Sequence, residues 1–281
     1  TSYRQPEGWT HPGAAAVRTV YLGVRDVGAE VLRRWGTVLD TVHGTSTWGP
    51  WGLVLGPVAG GHWHEHMLVH ACLATPAHEP LPLTFDDLVR IAAVDGAGAA
   101  DLVAAFVELH PNHRYLGGLH RELPRLPGLA AALTAHPAPV VAALEHRDVL
   151  RRAATLQLLA ETLEDADLVG FAAPVVACAS GTSARVRDAA RTALARIGAA
   201  AIPPLRELAV GGRPEQRGRA LDLLAQHPDQ YAWAVETARA DRAAAVQALP
   251  QQWEAAAEQH EPEVAVTPAA PLAPVSWSVP P

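Results

Sequence analysis

Lysine is absent from this chain: all 22 of its basic side chains are arginine. Without lysine there is no Schiff-base chemistry, no phosphate-loop lysine and no kinase-type lysine. Cysteine is nearly as scarce. Cys72 and Cys178 lie far apart, each inside an apolar segment. Two such thiols exclude a disulfide framework and read as buried free cysteines, which suits a reducing cytoplasm. Charge is sparse, at 18% of residues, and the balance is acidic, with a formal net charge of −7. That balance argues against a phosphate-binding surface, although a local arginine stripe is compatible with it. No apolar run reaches membrane-span length and no basic-then-apolar leader is present, so no membrane partner is expected. The chain opens at Thr1 without an initiator Met, and one expectation is that it is a region of a longer protein.

What is plentiful is apolar surface. Hydrophobic residues make up 49% of the 281, which excludes global disorder and allows a large core. The most regular stretch runs from Ala184 to Ala240. A shift of 30 positions places Arg187 on Arg217, Ala190 on Ala220, Leu194 on Leu224 and Ala195 on Ala225. A shift of 36 places Arg151 on Arg187, Ala154 on Ala190 and Leu158 on Leu194. The longer shift leaves room for an extended turn at Glu161–Asp167. Each first helix is followed by a second with a proline near its start, at Pro174, Pro203 and Pro228, where a missing N–H is tolerated. A paired-helix repeat of this length is the mark of a stacked helical solenoid.

The string Val186-Arg187-Asp188-Ala189-Ala190, with Ala193-Leu194, Ile197-Gly198 and Ile202-Pro203-Pro204-Leu205, resembles a bacterial HEAT repeat. The resemblance covers residues 147–240. Followed by a proline-rich tail, the pattern is also similar to large actinobacterial HEAT-containing proteins of unknown function, some loosely labelled molybdate-metabolism regulator-like. The resemblance implies that the small and aliphatic positions fill an inter-helix core. It also implies that the arginine matched by Arg151, Arg187 and Arg217 braces turns. The expected fold is therefore all-α: an α-solenoid of HEAT-like pairs over 147–260, an irregular helical region over 1–146 and a Pro-rich tail or linker over 261–281.

Before residue 147 the spacing predicts short helices. Ala14–Gly23 forms one. Val27–Val42 forms a longer one with an apolar stripe of Val27, Val31, Leu32, Trp35, Val38, Leu39 and Val42. Thr84 with Asp87 reads as an acidic capping box opening a helix through Val94. Between these, residues 44–61 are dense in Gly and Pro yet carry Trp48, Trp51, Leu53, Val54 and Leu55. They read either as a connection tucked against helices or as an aromatic platform that contacts a partner. At the far end, Asp241–His260 reads as a last helix pair interrupted at Pro250, with Trp253 as its anchor on the array.

The sharpest local constellation is His62-Trp63-His64-Glu65-His66-Met67-Leu68-Val69-His70. As a helix it puts Trp63, Met67 and Ala71 on one line and His62, His66 and His70 on the adjacent line, one turn apart. Histidines so spaced are ligand geometry for zinc or another borderline metal, with Glu65 or Glu79 as added oxygen. The His-Glu-x-x-His spacing of zinc proteases is absent. The plain alternative is a solvated or interface face of a helix rich in histidine.

Three functions are compatible with these features. The first is a protein–protein interaction scaffold with no cofactor, in which Arg151, Arg187 and Arg217, or Trp48 and Trp51, contact a protein partner. The plainer role for those arginines is to brace turns and cover apolar surface. The second is a metal-dependent enzyme or metal-binding protein using His62, His66 and His70, with Glu65 as the near general base. The third is a nucleic-acid-binding helical-repeat protein, against which the acidic balance counts. A cytoplasmic scaffold, not an enzyme, is the reading that most of the chain supports.

Overall fold

In a computed structural model, the structure describes residues 14–45, 63–73, 75, 79–108 and 122–259. Among them there are helices, 3₁₀ turns and connections, and no strand. The protein is all-α. In chain order the α-helices are α1 (Ala14–Leu22), α2 (Ala29–Thr45), α3 (Trp63–Leu73), α4 (Phe85–Ala92), α5 (Ala99–Glu108), α6 (Leu129–Ala135), α7 (Pro137–Glu145) and α8 (Val149–Thr162). They continue as α9 (Asp165–Leu168), α10 (Ala172–Ala179), α11 (Ala184–Ile197), α12 (Ile202–Gly211), α13 (Pro214–Ala225), α14 (Pro228–Arg239), α15 (Ala244–Gln247) and α16 (Leu249–Gln259).

Local chemistry sets many of the ends. Asp87 N–H donates to Thr84 Oγ1 (3.1 Å) and Thr84 N–H returns to Asp87 Oδ2 (3.0 Å), so α4 opens on a reciprocal box. Asp148 caps α8 by accepting from Leu150 N–H (2.8 Å). Gly198 ends α11 with φ at +56°, a conformation that β-carbon-bearing residues resist. Pro203 and Pro228 sit in the first turns of α12 and α14, where no N–H partner is lost. Pro250 behaves the same way. It does not interrupt a helix; it lies in the first turn of α16. The expected extended turn at Glu161–Asp167 instead contains α9, whose Asp165 and Asp167 favour a helix N-terminus while buried Leu168 and Phe171 pull the turn inward.

Of the three matched helices, the first two lie side by side and the third meets the array mainly through the helix between them. Helix α8 lies along α11, α10 packs between α11 and α12, α12 against α13, and α13 against α14. Ala190 and Ala220, matched by the 30-residue shift, are both fully buried, so the helices approach at positions without bulk. Helix α7 touches α5, α8 and α10, and the apolar core runs continuously from Tyr21 to Val246.

The α2 stripe divides in two. Leu32, Gly36 and Leu39 are buried, whereas Val31 (58% exposed) and Val38 (49%) face outward and Trp35 (37%) lies at the edge with its indole against His70 of α3. Gly36 explains the choice. A Cβ there would stand 3.0 Å from Trp63 Cβ, so the bare glycine lets α3 seat on the 32/36/39 line.

Candidate functional site

Helix α3 forms where the 3.6-residue period predicts, but its polar residues are not on a solvated face. Trp63, His64, Glu65, His66, Met67 and Leu68 are all buried, with His66 2% and Glu65 3% exposed. The helix is therefore enclosed on every side of its first two turns, which periodicity does not signal. The His64 ring meets Phe106 of α5 edge-on (5.7 Å) and Trp63 beside it (5.5 Å). His64 Nε2 is 3.7 Å from Glu65 Oε1. His66 Nε2 is 3.3 Å from Asp40 Oδ1 on α2, a partner with no local signature, because it comes from another helix. His70 packs against the Trp35 indole (6.1 Å), and the Arg33 guanidinium lies over the Trp63 ring (5.1 Å). Burying a carboxylate is costly unless polar neighbours compensate, and His64 is the polar side chain beside Glu65. Of the candidate metal ligands, His66 and His70 lie on α3 and His62 falls outside the described residues. Among the described residues no three His, Cys, Asp or Glu side chains converge as a metal would need. Trp48 and Trp51 also fall outside the described residues.

Both thiols are held protonated. Burial, with Glu122 nearby, pushes Cys72 up to about 12, and burial pushes Cys178 up to about 11. A thiol protonated at neutral pH is neither a nucleophile nor a soft metal ligand.

The arginines show a shared use. Arg187 Nη1 donates to the carbonyls of Thr182 (2.7 Å) and Gly181 (3.1 Å), in the turn before its own helix. Thirty residues on, Arg217 Nη1 donates to Gly212 O (2.9 Å), the position matched to Thr182. Arg217 also clasps Asp241, from Nε to Oδ2 and from Nη2 to Oδ1, both at 2.7 Å. That pair holds the Asp241 carboxyl below its ordinary range. Arg151, at the matching place on α8, is half-buried and makes no such carbonyl bond among the described residues; Asp148 fixes the start of that helix instead. No family model, curated protein or solved structure matches this chain.

Other arginines, not singled out by the repeat pattern, do the same between units. Arg196 of α11 reaches back to Ala160 O, Leu163 O and Asp165. Arg219 of α13 reaches Gly181 O and Ser180 O. In the first half, Arg90 pins Val24 O (2.7 Å) and Val27 O (2.9 Å), and Arg125 pins Glu79 O (2.8 Å). A planar fork with several fixed donors can hold two carbonyls at once, which a lysine ammonium does with less geometric order. The lysine-free composition is thus put to structural use, and the only prior signal was the repeated Arg187/Arg217 position.

With these arginines turned to the backbone, an accessible feature of the repeat region lies on the second helices. An open groove of about 430 Å³ runs between α10 and α12 and reaches the start of α13. Val176 and Leu208 form its floor, Ala173 and Ala177 one wall, and Glu207 and Arg213 the rim. Apolar in the middle and charged with both signs at the edge, it offers contact surface and no reactive group.

Proposed function

We propose that this chain is a protein–protein interaction scaffold whose 147–240 helices stack as a HEAT-like solenoid. Support for the stacking comes from the repeated turn brace of Arg187 and Arg217, from the buried Ala190 and Ala220 at matched positions, and from the back-reaching Arg196 and Arg219 that tie one unit to the one before. Solenoids present side chains of successive equivalent helices as one extended surface.

The observation that carries the reading is the groove between α10 and α12. Its exposed small side chains let a partner approach closely, and its Glu207 and Arg213 can orient a partner of mixed charge. The occupant is a protein segment. The two protonated thiols agree with a cytoplasmic setting.

Capture of a partner by the full chain, followed by chemical cross-linking and mass spectrometry, tests this reading. Cross-links concentrated on α10, α12 and the start of α13, and loss of capture by Ala177→Glu with unchanged melting, are expected. Capture unaffected by Ala177→Glu and by Glu207→Arg overturns the assignment of this surface.

A further inference from the structure

The walls of the groove between α10 and α12 are helix faces. Ala173, Val176 and Ala177 stand at i, i+3 and i+4 on α10, and Pro204, Leu208 and Gly211 at i, i+4 and i+7 on α12. The α10 wall brings no charge, because Ala172–Ala179 contains no charged residue. Among the described residues the charged side chains on the lining are Glu207 and Arg213, both exposed, and neither has an ion-pair partner there. Arg206, beside Glu207, is turned away to Gln230 (2.9 Å) and the Trp233 ring. The Arg213 backbone is held, its N–H donating to Gln216 Oε1 (3.2 Å), while its guanidinium is left for a charge from outside.

Gly211 is unexplained by the fold. It is the last residue of α12, it is not among the glycines of positive φ, and a Cβ there would meet nothing within 4 Å. A glycine weakens a helix relative to alanine. Its effect at 211 is to leave the end of the groove bare, which lets another backbone come close.

The common modes of holding a peptide need different things of a receptor. Strand addition needs an open sheet edge, and among the described residues there is no strand. A polyproline chain needs an aromatic-lined groove, and among the described residues no ring lines this one. A phosphorylated or acidic motif needs clustered arginines, and here Arg213 is balanced by Glu207. A helix needs apolar contacts at helical spacing and close approach in the valley between two helices, and the groove has both. Glu207 and Arg213 are separated by about 10 Å along the groove, close to two helical turns.

Resting on the scaffold reading of this groove, we propose that its occupant is an amphipathic helix of a partner protein. Its apolar side lies on Val176 and Leu208, a basic residue meets Glu207, and an acidic residue two turns along meets Arg213. The two opposite charges fix the direction of that helix, because the reverse orientation sets like charges together.

A random phage-displayed library of peptides of about 16 residues, long enough for four turns, is selected on the full native chain. Binders are sorted by Gly211→Leu, which fills the bare end of the groove where nothing crowds it and is expected to leave melting unchanged. Ala177→Glu, on the facing wall, should remove the same peptides. Those removed are expected to carry apolar residues at i, i+3 or i+4 and i+7, with a basic and an acidic residue seven positions apart. As synthetic peptides they bind the native chain at least about tenfold tighter than twins with the two charges exchanged. Glu207→Arg combined with Arg213→Glu reverses that preference. Proline at a central, outward-facing position of the peptide abolishes binding, because a helix does not tolerate it there. The absence of groove-dependent binders, equal affinity for the charge-exchanged twins, or binding that survives the central proline overturns the proposal. With any of these, capture of the cellular partner that is still lost in Ala177→Glu removes only the helical occupant. Capture unaffected by Ala177→Glu and by Glu207→Arg removes the interface as well.

Discussion

Arg217 and Asp241 meet through two parallel bonds, Nε to Oδ2 and Nη2 to Oδ1, each 2.7 Å, while Arg217 Nη1 holds Gly212 O. One guanidinium thus joins the turn before α13 to the turn after α14. Asp241 in turn accepts from Ala243 N–H (2.7 Å), which leads the chain into α15. The end of the array is organised by this contact.

The first prediction concerns pH. Arg217 lowers the Asp241 pKa, so the pair's contribution is fully present above the ordinary aspartate value, about 3.9, and is lost as pH falls through the depressed folded value. The stability gap between the native chain and Asp241→Asn should therefore narrow as denaturant unfolding is measured from about pH 5 towards pH 2. A gap that stays constant over that range contradicts the linkage. Arg217→Ala combined with Asp241→Asn should cost less than the two single changes added together.

Gly212 supplies the carbonyl that Arg217 holds, and it has no room for a side chain. A Cβ there would lie 2.6 Å from Leu208 O, a backbone atom that cannot move aside cheaply. Gly212→Ala should destabilise by about 2 kcal/mol. Gly211→Ala, with open space around its Cβ, should change stability by less than about 0.5 kcal/mol. Equal melting temperatures for the two variants would remove the steric argument.

Trp253 ties α16 to α13 through Asp222. Burial raises the Asp222 carboxyl and the indole bond lowers it in part. Trp253→Phe keeps an aromatic ring but deletes the donor and part of the indole's volume, so the Asp222 pKa should rise further and stability should drop by about 2 kcal/mol. Carboxyl-carbon NMR titration reads the first effect. A downward or absent shift would show that the bond is not formed.

The thiols give a direct chemical check. Cys72, pushed up to about 12, and Cys178, to about 11, should resist alkylation in the native chain at pH 8 and react only on unfolding. Modification of either at the rate of a free peptide thiol would contradict their burial.

Helices with strong local signals were legible beforehand. The Thr84–Asp87 box, the proline-marked second helices and the α3 helix all follow from short-range chemistry. The exposed half of the α2 stripe was not legible, because one glycine's contact with Trp63 decides which side faces in, and that contact joins separate helices. The enclosure of His64, Glu65 and His66 was hidden for the same reason: a polar residue looks solvated until Asp40 and Phe106 arrive from elsewhere. For the arginines, the repeated position was visible at 187 and 217. The carbonyls reached by Arg196, Arg219 and Arg90 lie 33 to 66 residues away and leave no pattern to read.

The most direct test of the central claim is Arg187→Glu in the full chain, with thermal unfolding and partner capture measured on the same sample. The bonds from Arg187 to Gly181 and Thr182 predict a clear fall in melting temperature, with capture retained by the fraction still folded. A variant that melts like the native chain yet captures nothing would contradict the account, because Arg187 would then be a recognition residue and not a brace.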